Sequence, residues 1–452
     1  MNESRLASQI RWRRRPATAL RGLTAAADAT LATPGTFELD PPLSLLDEAI
    51  FLLHTVAEVE HSLMVQYLYA AYSVKPEYAD CQSKLRGTAT EEMGHLMTVQ
   101  NLLLGLGGPL NFDREDFPYR TGLYPFPFSL EPAALASIAK YVMAEKPLRT
   151  NPAELPPELE AEIRDKAKMD AGMEVDRVGM LLGRLKEVLT KLPESAFHPD
   201  PDEYQAGPAQ WGSSAQVTRD TAGNITGVSS GVLVMNARNK QEALDAITAI
   251  ALQGEGGEGG ADAPDAHFRR FLELYKIVRD IPGSIAFPVP HDPSTTAETG
   301  GSAITFGPSR KLAQLGNHRY RFLLAGIAHS LTIQASGSGR GVLTNWCFEE
   351  MIGHIGPVSR LLAGMPRQRD PVVVAGFPFE LPYTMSLPSN ESARWRLLGA
   401  ILEESAERIA AIRADEDLPS LAAPLASDLK YLLSSIETTD AARGPEIASR
   451  AA

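Results

Sequence analysis

The residues best equipped for chemistry are acidic and imidazole groups standing where apolar residues belong. Glu60 falls in the series Leu53, Val56, Glu60, Leu63, Tyr67 and Ala70, which steps by three and four. Glu92 and His95 fall in a second series, Leu85, Thr88, Glu92, His95, Val99, Leu102 and Leu106. Glu174 precedes Val178, Leu181, Leu185, Val188 and Leu192, and Glu255 follows Leu244, Ile247 and Ala251. His267 shares one side with Phe271, Leu274 and Val278. A helix turns such a stripe toward its core, where an unpaired carboxylate is costly. Several of them on different helices point to a shared counter-charge. A pair of divalent metal ions would neutralise the group and use its oxygens.

Spacing supports that chemistry. Glu92 and His95 are three residues apart, about 60° around a helix axis, so both reach one ion. A Glu-x-x-His on one helix with single glutamates on others is the ligand pattern of dinuclear carboxylate bundles. Glu255 and His267 make the last pair, and the glycine-rich stretch between them must fold back to bring them together. Asp176 lies close enough to Glu174 to take its place. Glu91 reads as a solvated neighbour of Glu92, and Tyr67 as core packing within reach of Glu60. Glu350 and His354 share a helix face but read as a structural ion pair or a satisfied core histidine.

These residues need helices to position them. The periodicity predicts helices over 46–73, 83–106 and 158–192, another from Asn236, and one resuming at Ala266. A short strand is expected at Gly231–Met235. Five prolines with several Gly, Ser and Thr make Ile281–Ser309 a linker. Helical periodicity returns at about 311–335, 343–364, 391–413 and 418–437. The aromatic loop with Phe117, Tyr119, Tyr124, Phe126 and Phe128 walls a substrate pocket or packs over a bundle end. The chain also echoes itself. His61-Ser62-Leu63-Met64-Val65-Gln66 resembles His329-Ser330-Leu331-Thr332-Ile333-Gln334, and Glu91-Glu92-Met93-Gly94-His95 resembles Glu349-Glu350-Met351-Ile352-Gly353-His354. Ala328 stands where the first copy has Glu60.

Composition excludes other classes. The 452 residues carry 43 basic and 56 acidic side chains, a net charge of −13, which suits nucleic acid poorly. Arg11, Arg13, Arg14 and Arg15 form the one basic run. No apolar stretch reaches membrane-spanning length, and residues 1–45 read as a tail. Two cysteines, Cys81 and Cys347, provide neither a disulfide framework nor a thiolate cage, which favours a reducing cytoplasm. Metal must therefore be held by Glu, Asp and His, ligands suited to iron or manganese. Gly254 to Gly259 matches a phosphate-loop pattern, but it follows a helix and carries two carboxylates that would repel phosphate. Gly227 to Gly231 matches a nucleophile-elbow pattern without the strand that must precede it.

The run Glu60-His61-x-x-x-x-Gln66-Tyr67-Leu68-Tyr69-Ala70, then Glu91-Glu92-Met93-x-His95, then Gln253-Gly254-Glu255-Gly256 with His267-Phe268-x-Arg270-Phe271, resembles the ferritin-like domain of iminophenyl-pyruvate dimer synthases, which act in violacein- and rebeccamycin-type pathways. The likeness covers roughly residues 46–280 and extends more loosely to Gly376-Phe377-Pro378-Phe379-Glu380. It implies a ferritin-like bundle with a non-haem metal centre and, in such relatives, oxidative coupling of two amino-acid-derived imines. One departure bears on the site. The family's third-helix motif resembles Ile-Gly-Glu-Phe-Tyr, and Val178-Gly179-Met180-Leu181-Leu182 carries Met180 at the glutamate position. Either Glu174 or Asp176 replaces that ligand, or the site is one ligand short.

The expectation is an all-α protein. A ferritin-like four-helix bundle spans 46–280, a linker 281–310, and an additional C-terminal helical region 311–452. The expected ligands are Glu60, Glu92, His95, Glu174, Glu255 and His267, holding two divalent ions, iron or alternatively manganese. The expected activity is a di-iron-type oxidoreductase taking O2 or peroxide and a small amino-acid-derived substrate, with neither nucleic acid nor membrane as partner and a homo-oligomer left open. A metal-handling bundle without organic substrate and a non-catalytic scaffold are the rival classes.

Overall fold

A computed structural model describes residues 10–12, 37–39, 43–114, 125–198, 203–256, 265–297, 299–369, 372–381, 386–414 and 422–442. Phe117, Tyr119, Tyr124, Arg13 to Arg15 and Glu258 lie outside them. The first helix, α1, runs Leu45–Ser73. Ser44 caps it by accepting from the Asp47 N–H at 3.1 Å, and Asp47 and Glu48 complement the positive end of the helix dipole. A short turn leads into α2, Ala79–Gly105, which returns along α1. Their shared stretch has few exposed sides: Val59 to Tyr67 and Glu91 to Leu103 are buried throughout. The pair is sandwiched between two layers, with the acidic cluster on one side and the C-terminal helices on the other.

The predicted helix over 158–192 is two helices. Helix α4, Pro157–Ala171, ends where Gly172 takes φ +70°, a left-handed turn that glycine adopts without strain. Helix α5, Val178–Lys191, starts after an irregular stretch. A helix the periodicity did not disclose precedes them. Helix α3, Leu135–Ala144, is capped at its C-terminal end by Glu145 and packs between α4 and α7. Helices α6, Lys240–Glu255, and α7, His267–Asp280, complete this half. Helix α5 lies against α1 and α6, and the Arg184 guanidinium donates to Glu48 at 2.9 and 2.5 Å to fasten it there.

Strand is scarce. Ile10–Trp12 (β1) pairs with Phe37–Leu39 (β2), and Val217–Arg219 (β3) pairs with Ile225–Val228 (β4). The strand expected at Gly231–Met235 is instead an unpaired extended segment on α2. The Leu233 carbonyl accepts from Thr98 Oγ1 at 3.0 Å, and a Cβ on Gly94 would come within 2.8 Å of the Leu233 backbone. The glycine is what lets that segment approach. The stretch after Ile281 is no free linker either. The Phe287 N–H reaches the Ser73 carbonyl at 2.8 Å, and that of Asp292 reaches the Leu130 carbonyl at 2.9 Å.

The C-terminal half is helical. Helix α8, Gly307–Ser330, packs against α9, Ser338–Glu349, and α11, Glu391–Arg413, with α12, Ala422–Ala442, beyond it. Helix α9 continues through a wide π-helical turn, Glu350–Ile355, into α10, Gly356–Ala363. The echo explains the turn: Glu-Glu-Met-Ile-Gly-His is one residue longer than Glu-Glu-Met-Gly-His, and an inserted residue is accommodated as a π-bulge. Ile352, the extra residue, is 75% exposed. Here a protein cation supplies the counter-charge. The buried Arg319 donates to both oxygens of Glu350 at 2.8 and 2.7 Å, and His354 pairs with Asp428. Arg319→Met strands two buried carboxylates and should cost about 3–5 kcal/mol, read as a drop in the denaturant midpoint. Adding Glu350→Gln should recover part of it. An unchanged midpoint in Arg319→Met would show that the pair does not hold this half together.

Candidate metal centre

Two helices, the C-terminal cap of a third and the start of a fourth converge on one buried spot. Helix α1 brings Glu60, α2 brings Glu92 and His95, the end of α3 brings Glu145, and the first residue of α7 is His267. All five are 3% exposed or less. Glu92 sits between the two imidazoles. One oxygen, Oε2, lies 2.8 Å from His95 Nδ1, and the other, Oε1, lies 3.0 Å from His267 Nδ1. Glu60 Oε2 flanks the first contact at 3.5 Å, and Glu145 Oε2 flanks the second at 3.9 Å. Two trios result, Glu60–Glu92–His95 and Glu92–Glu145–His267. In each, one potential ligand atom per residue lies within 4.8 Å of the others. Glu92 belongs to both.

The surrounding groups decide which nitrogen of each ring faces the carboxylates. Gln253 donates its amide to the carbonyls of Ser229 and Gly231, both at 2.9 Å, which fixes its orientation. Its oxygen therefore faces His95 Nε2 at 2.8 Å and must accept from it. On the other ring, His267 Nε2 donates to Glu91 Oε2 at 2.9 Å. Glu91 is in turn held by Arg270 at 2.9 Å and the Gly231 N–H at 2.7 Å. Both Nε2 protons are thus committed outward, and both Nδ1 atoms point at carboxylate oxygen. Each Nδ1 needs positive charge there, either its own second proton or a shared metal ion. Glu92 Oε1 and His267 Nδ1 have no hydrogen-bond partner among the described residues although they are 3.0 Å apart. That donor set fits a metal, and imidazoles oriented by outer carboxylate or amide partners are the usual arrangement around one.

Without an ion the cluster carries its charge badly. Burial and the Glu92 carboxylate push Glu60 up to about 7, and the same two causes push Glu145 up to about 8. Burial would raise Glu92 too, but the two imidazoles outweigh it and hold that carboxyl well below its ordinary range. Burial opposes charge on the histidines. Hydrogen bonds that His95 donates to Glu60 and Glu92 nevertheless raise it well above its ordinary value, and Glu92, Glu91 and Glu145 raise His267 to about 9. Glu60, Glu145 and the imidazoles therefore hold protons that a metal must displace. Apparent affinity should fall as pH drops through 8 to 7, about tenfold per unit for each proton displaced. Competition titrations with Mn(II) at pH 6.5 and 8.5 check this, and a pH-independent affinity would contradict it.

Of the six expected ligands, the structure brings Glu60, Glu92, His95 and His267 together. Glu255, the last residue of α6, lines the same small space from its edge and is half-buried. A Cβ on Gly179 would sit 1.9 Å from Glu255 Oε1, so a side chain there would push the carboxylate out of this position. Glu174 is not brought to them. It lies in the irregular stretch that Gly172 opens between α4 and α5, paired with Lys168 at 2.5 Å, and does not line the chamber. Asp176 does not line it either. Glu145 is the glutamate that sequence reasoning missed, and Tyr67 donates to its Oε1 at 2.8 Å. Glu91, expected in solvent, is buried and orients His267. Gln253→Leu removes the acceptor that holds His95 and should weaken metal binding about 10- to 100-fold, whereas Gln253→Glu keeps an acceptor. Chelator competition on both variants checks this; equal affinities would contradict it.

Beyond the chamber lies an outer pocket of about 310 Å³. It shares Gly179, Leu182, Ala251 and Glu255 with the chamber and adds Arg177 and Lys186. Arg177 stands 3.8 Å from Glu255. Glu255 therefore marks the boundary between a basic antechamber and the carboxylates.

Residues 53–276 match the family described as Ferritin-like. A dichlorochromopyrrolate synthase of Lentzea aerocolonigenes is 27% identical over 136 residues, covering 24% of this chain and 13% of that one. A 2-imino-3-(indol-3-yl)propanoate dimerase of Chromobacterium violaceum is 30% identical over 132 residues, covering 21% of this chain and 13% of that one. The matched segments thus span about an eighth of these relatives' length. A ferritin-like protein of known structure from Caulobacter vibrioides superposes with a TM-score of 0.42 at 12% identity, over 70% of this chain and 97% of that one. No helix among the described residues is long and apolar enough to cross a membrane. With its predominantly helical architecture and that match across the bundle, residues 53–276 form a ferritin-like domain.

Proposed function

We propose that the chain is an enzyme, a dinuclear oxidoreductase that oxidises a small amino-acid-derived acid. Iron is the expected metal and manganese the alternative. The observation that carries this reading is Glu92, with one oxygen turned to each histidine inside a buried chamber that borders an outer pocket. Glu60, Glu92 and His95 would hold one ion, and Glu92, Glu145 and His267 the other. Glu255 is placed to complete or release the shell at the chamber's edge. When bound, such ions supply redox chemistry with O2 or peroxide. The protein's own part is to orient the imidazoles through Gln253 and Glu91, to hold Glu145 through Tyr67, and to keep bulk water out.

Arg177 and Lys186 in the antechamber suit a carboxylate substrate. The names of the two distant relatives favour imino acids of aromatic amino acids. Joining two such molecules through a carbon–carbon bond releases two electrons and two protons, which O2 or peroxide takes up. Buried free thiols at Cys81 and Cys347 accord with a reducing cytoplasm. The test is oxygen uptake by iron-loaded protein given aromatic α-keto acids with ammonia as the source of imine. Uptake that depends on both metal and imine is the expected result. Iron oxidation that no organic substrate stimulates would favour a metal-handling protein, and absence of any metal-dependent uptake would refute the proposal.

A further inference from the structure

The face of α1 and α2 turned away from the carboxylates does not close on the C-terminal layer. A cavity of about 450 Å³ remains between them, within the range of small-molecule sites. Its walls include Met64, Met93, Met97 and Met351, flexible side chains that adapt to irregular apolar shapes. Met93 and Met351 are equivalent positions in the two echoed motifs, so the two halves meet here through matching residues. Trp211 also lines the cavity; it is fully buried, and its indole N–H has no hydrogen-bond partner among the described residues.

Among the described residues the lining contains no carboxylate. Its charged members are Arg86 and Arg360, both exposed at the rim. Neither guanidinium has an ion-pair partner among the described residues. Both line the cavity with one hydroxyl, that of Tyr72. Burial pushes the Tyr72 phenol up, and the positive charges of Arg360 and Arg86 pull against it. Gly356 leaves space at that point: a Cβ there would lie 3.3 Å from the Tyr72 hydroxyl and 3.5 Å from Arg360 Nη1. An apolar chamber thus has two unpaired cations and a hydroxyl at its mouth, the complement of an amphipathic anion.

We propose that this interlayer cavity is a second binding site, separate from the carboxylate chamber, for a small organic acid whose aromatic or branched body enters between the methionines and Trp211 while its anionic group rests at Arg86, Arg360 and Tyr72. The proposal does not depend on the metal reading.

The test uses the full chain, metal-loaded and metal-stripped, with two fluorescent probes of similar shape. One, 1-anilinonaphthalene-8-sulfonate, is anionic; the other, N-phenyl-1-naphthylamine, is neutral. The anionic probe should saturate and be displaced by 3-phenylpropionate but not by 3-phenylpropanol. In an Arg86→Gln/Arg360→Gln double variant it should bind at least about tenfold more weakly, with the neutral probe unchanged. Both replaced residues are exposed, so the fold should tolerate the change. Binding that is not saturable, or undiminished in the double variant, would overturn the proposal. So would binding that disappears when metal is removed, because the probe would then occupy the carboxylate chamber.

Discussion

Glu92→Gln should empty both metal positions at once. Wild type is expected to bind about two ions per chain, and the variant should bind neither with useful affinity. The reason is geometric. Glu92 is the one residue common to both trios, with Oε2 beside His95 and Oε1 beside His267. Glutamine keeps the shape but withdraws the negative charge and turns one oxygen into an N–H2 donor. The loss should exceed the roughly 100-fold upper bound for an outer-sphere partner, so elemental analysis after gel filtration suffices to see it. A variant that retains both ions would remove Glu92 from the centre. One that retains a single ion would show that the two positions fill independently.

Glu145→Gln should have two effects of opposite sign. Metal binding should fail at the His267 side, because Glu145 is that trio's third member. Without metal, however, the variant should be more stable than wild type. Burial and Glu92 hold Glu145 at about 8 in the folded state, well above a free carboxyl. A carboxyl raised by folding opposes the folded state once pH exceeds its unfolded value, and the cost grows until pH passes the folded value. At pH 8 its removal should stabilise the metal-free chain by on the order of 2 kcal/mol, and at pH 4 by almost nothing. Glutamine also keeps the oxygen that accepts from Tyr67. Glu174→Gln is the control and should leave metal content unchanged, since its partner is Lys168. Reversed behaviour of the two variants would restore Glu174 as the ligand. Equal stability of metal-free wild type and Glu145→Gln at pH 8 would show that the acidic cluster stores no such cost.

These two residues also show where sequence reasoning worked and where it stopped. Glu60, Glu92 and His95 were legible because α1 and α2 are long and a polar residue on an apolar seam stands out there. Glu145 was not. Ser137 to Ala144 are buried without interruption, so α3 has no solvated face there, and at ten residues it is too short for a long stepping series to stand out. The buried Lys140, paired with Glu131 and Asp170, hid the element further. Pro147 just beyond it was the available stop signal. Glu174 erred the other way: its seam ran on through Val178 and Leu181 only if Gly172 stayed helical, and it does not. Glu91 looked solvated because it is adjacent to Glu92 on the helix and points elsewhere. The Gly231 segment, distant in sequence, covers it. The C-terminal echo was recognisable, but that one extra residue becomes a π turn, and that Arg319 supplies the cation, depends on packing across α8 and α12.

The most direct measurement is anomalous X-ray scattering at the iron edge from crystals of iron-loaded protein. The account predicts two peaks, one among Glu60, Glu92 and His95 and one among Glu92, Glu145 and His267, with Glu92 between them. Scattering centred anywhere else in the chain, or none at these two positions in protein known to contain iron, would contradict it.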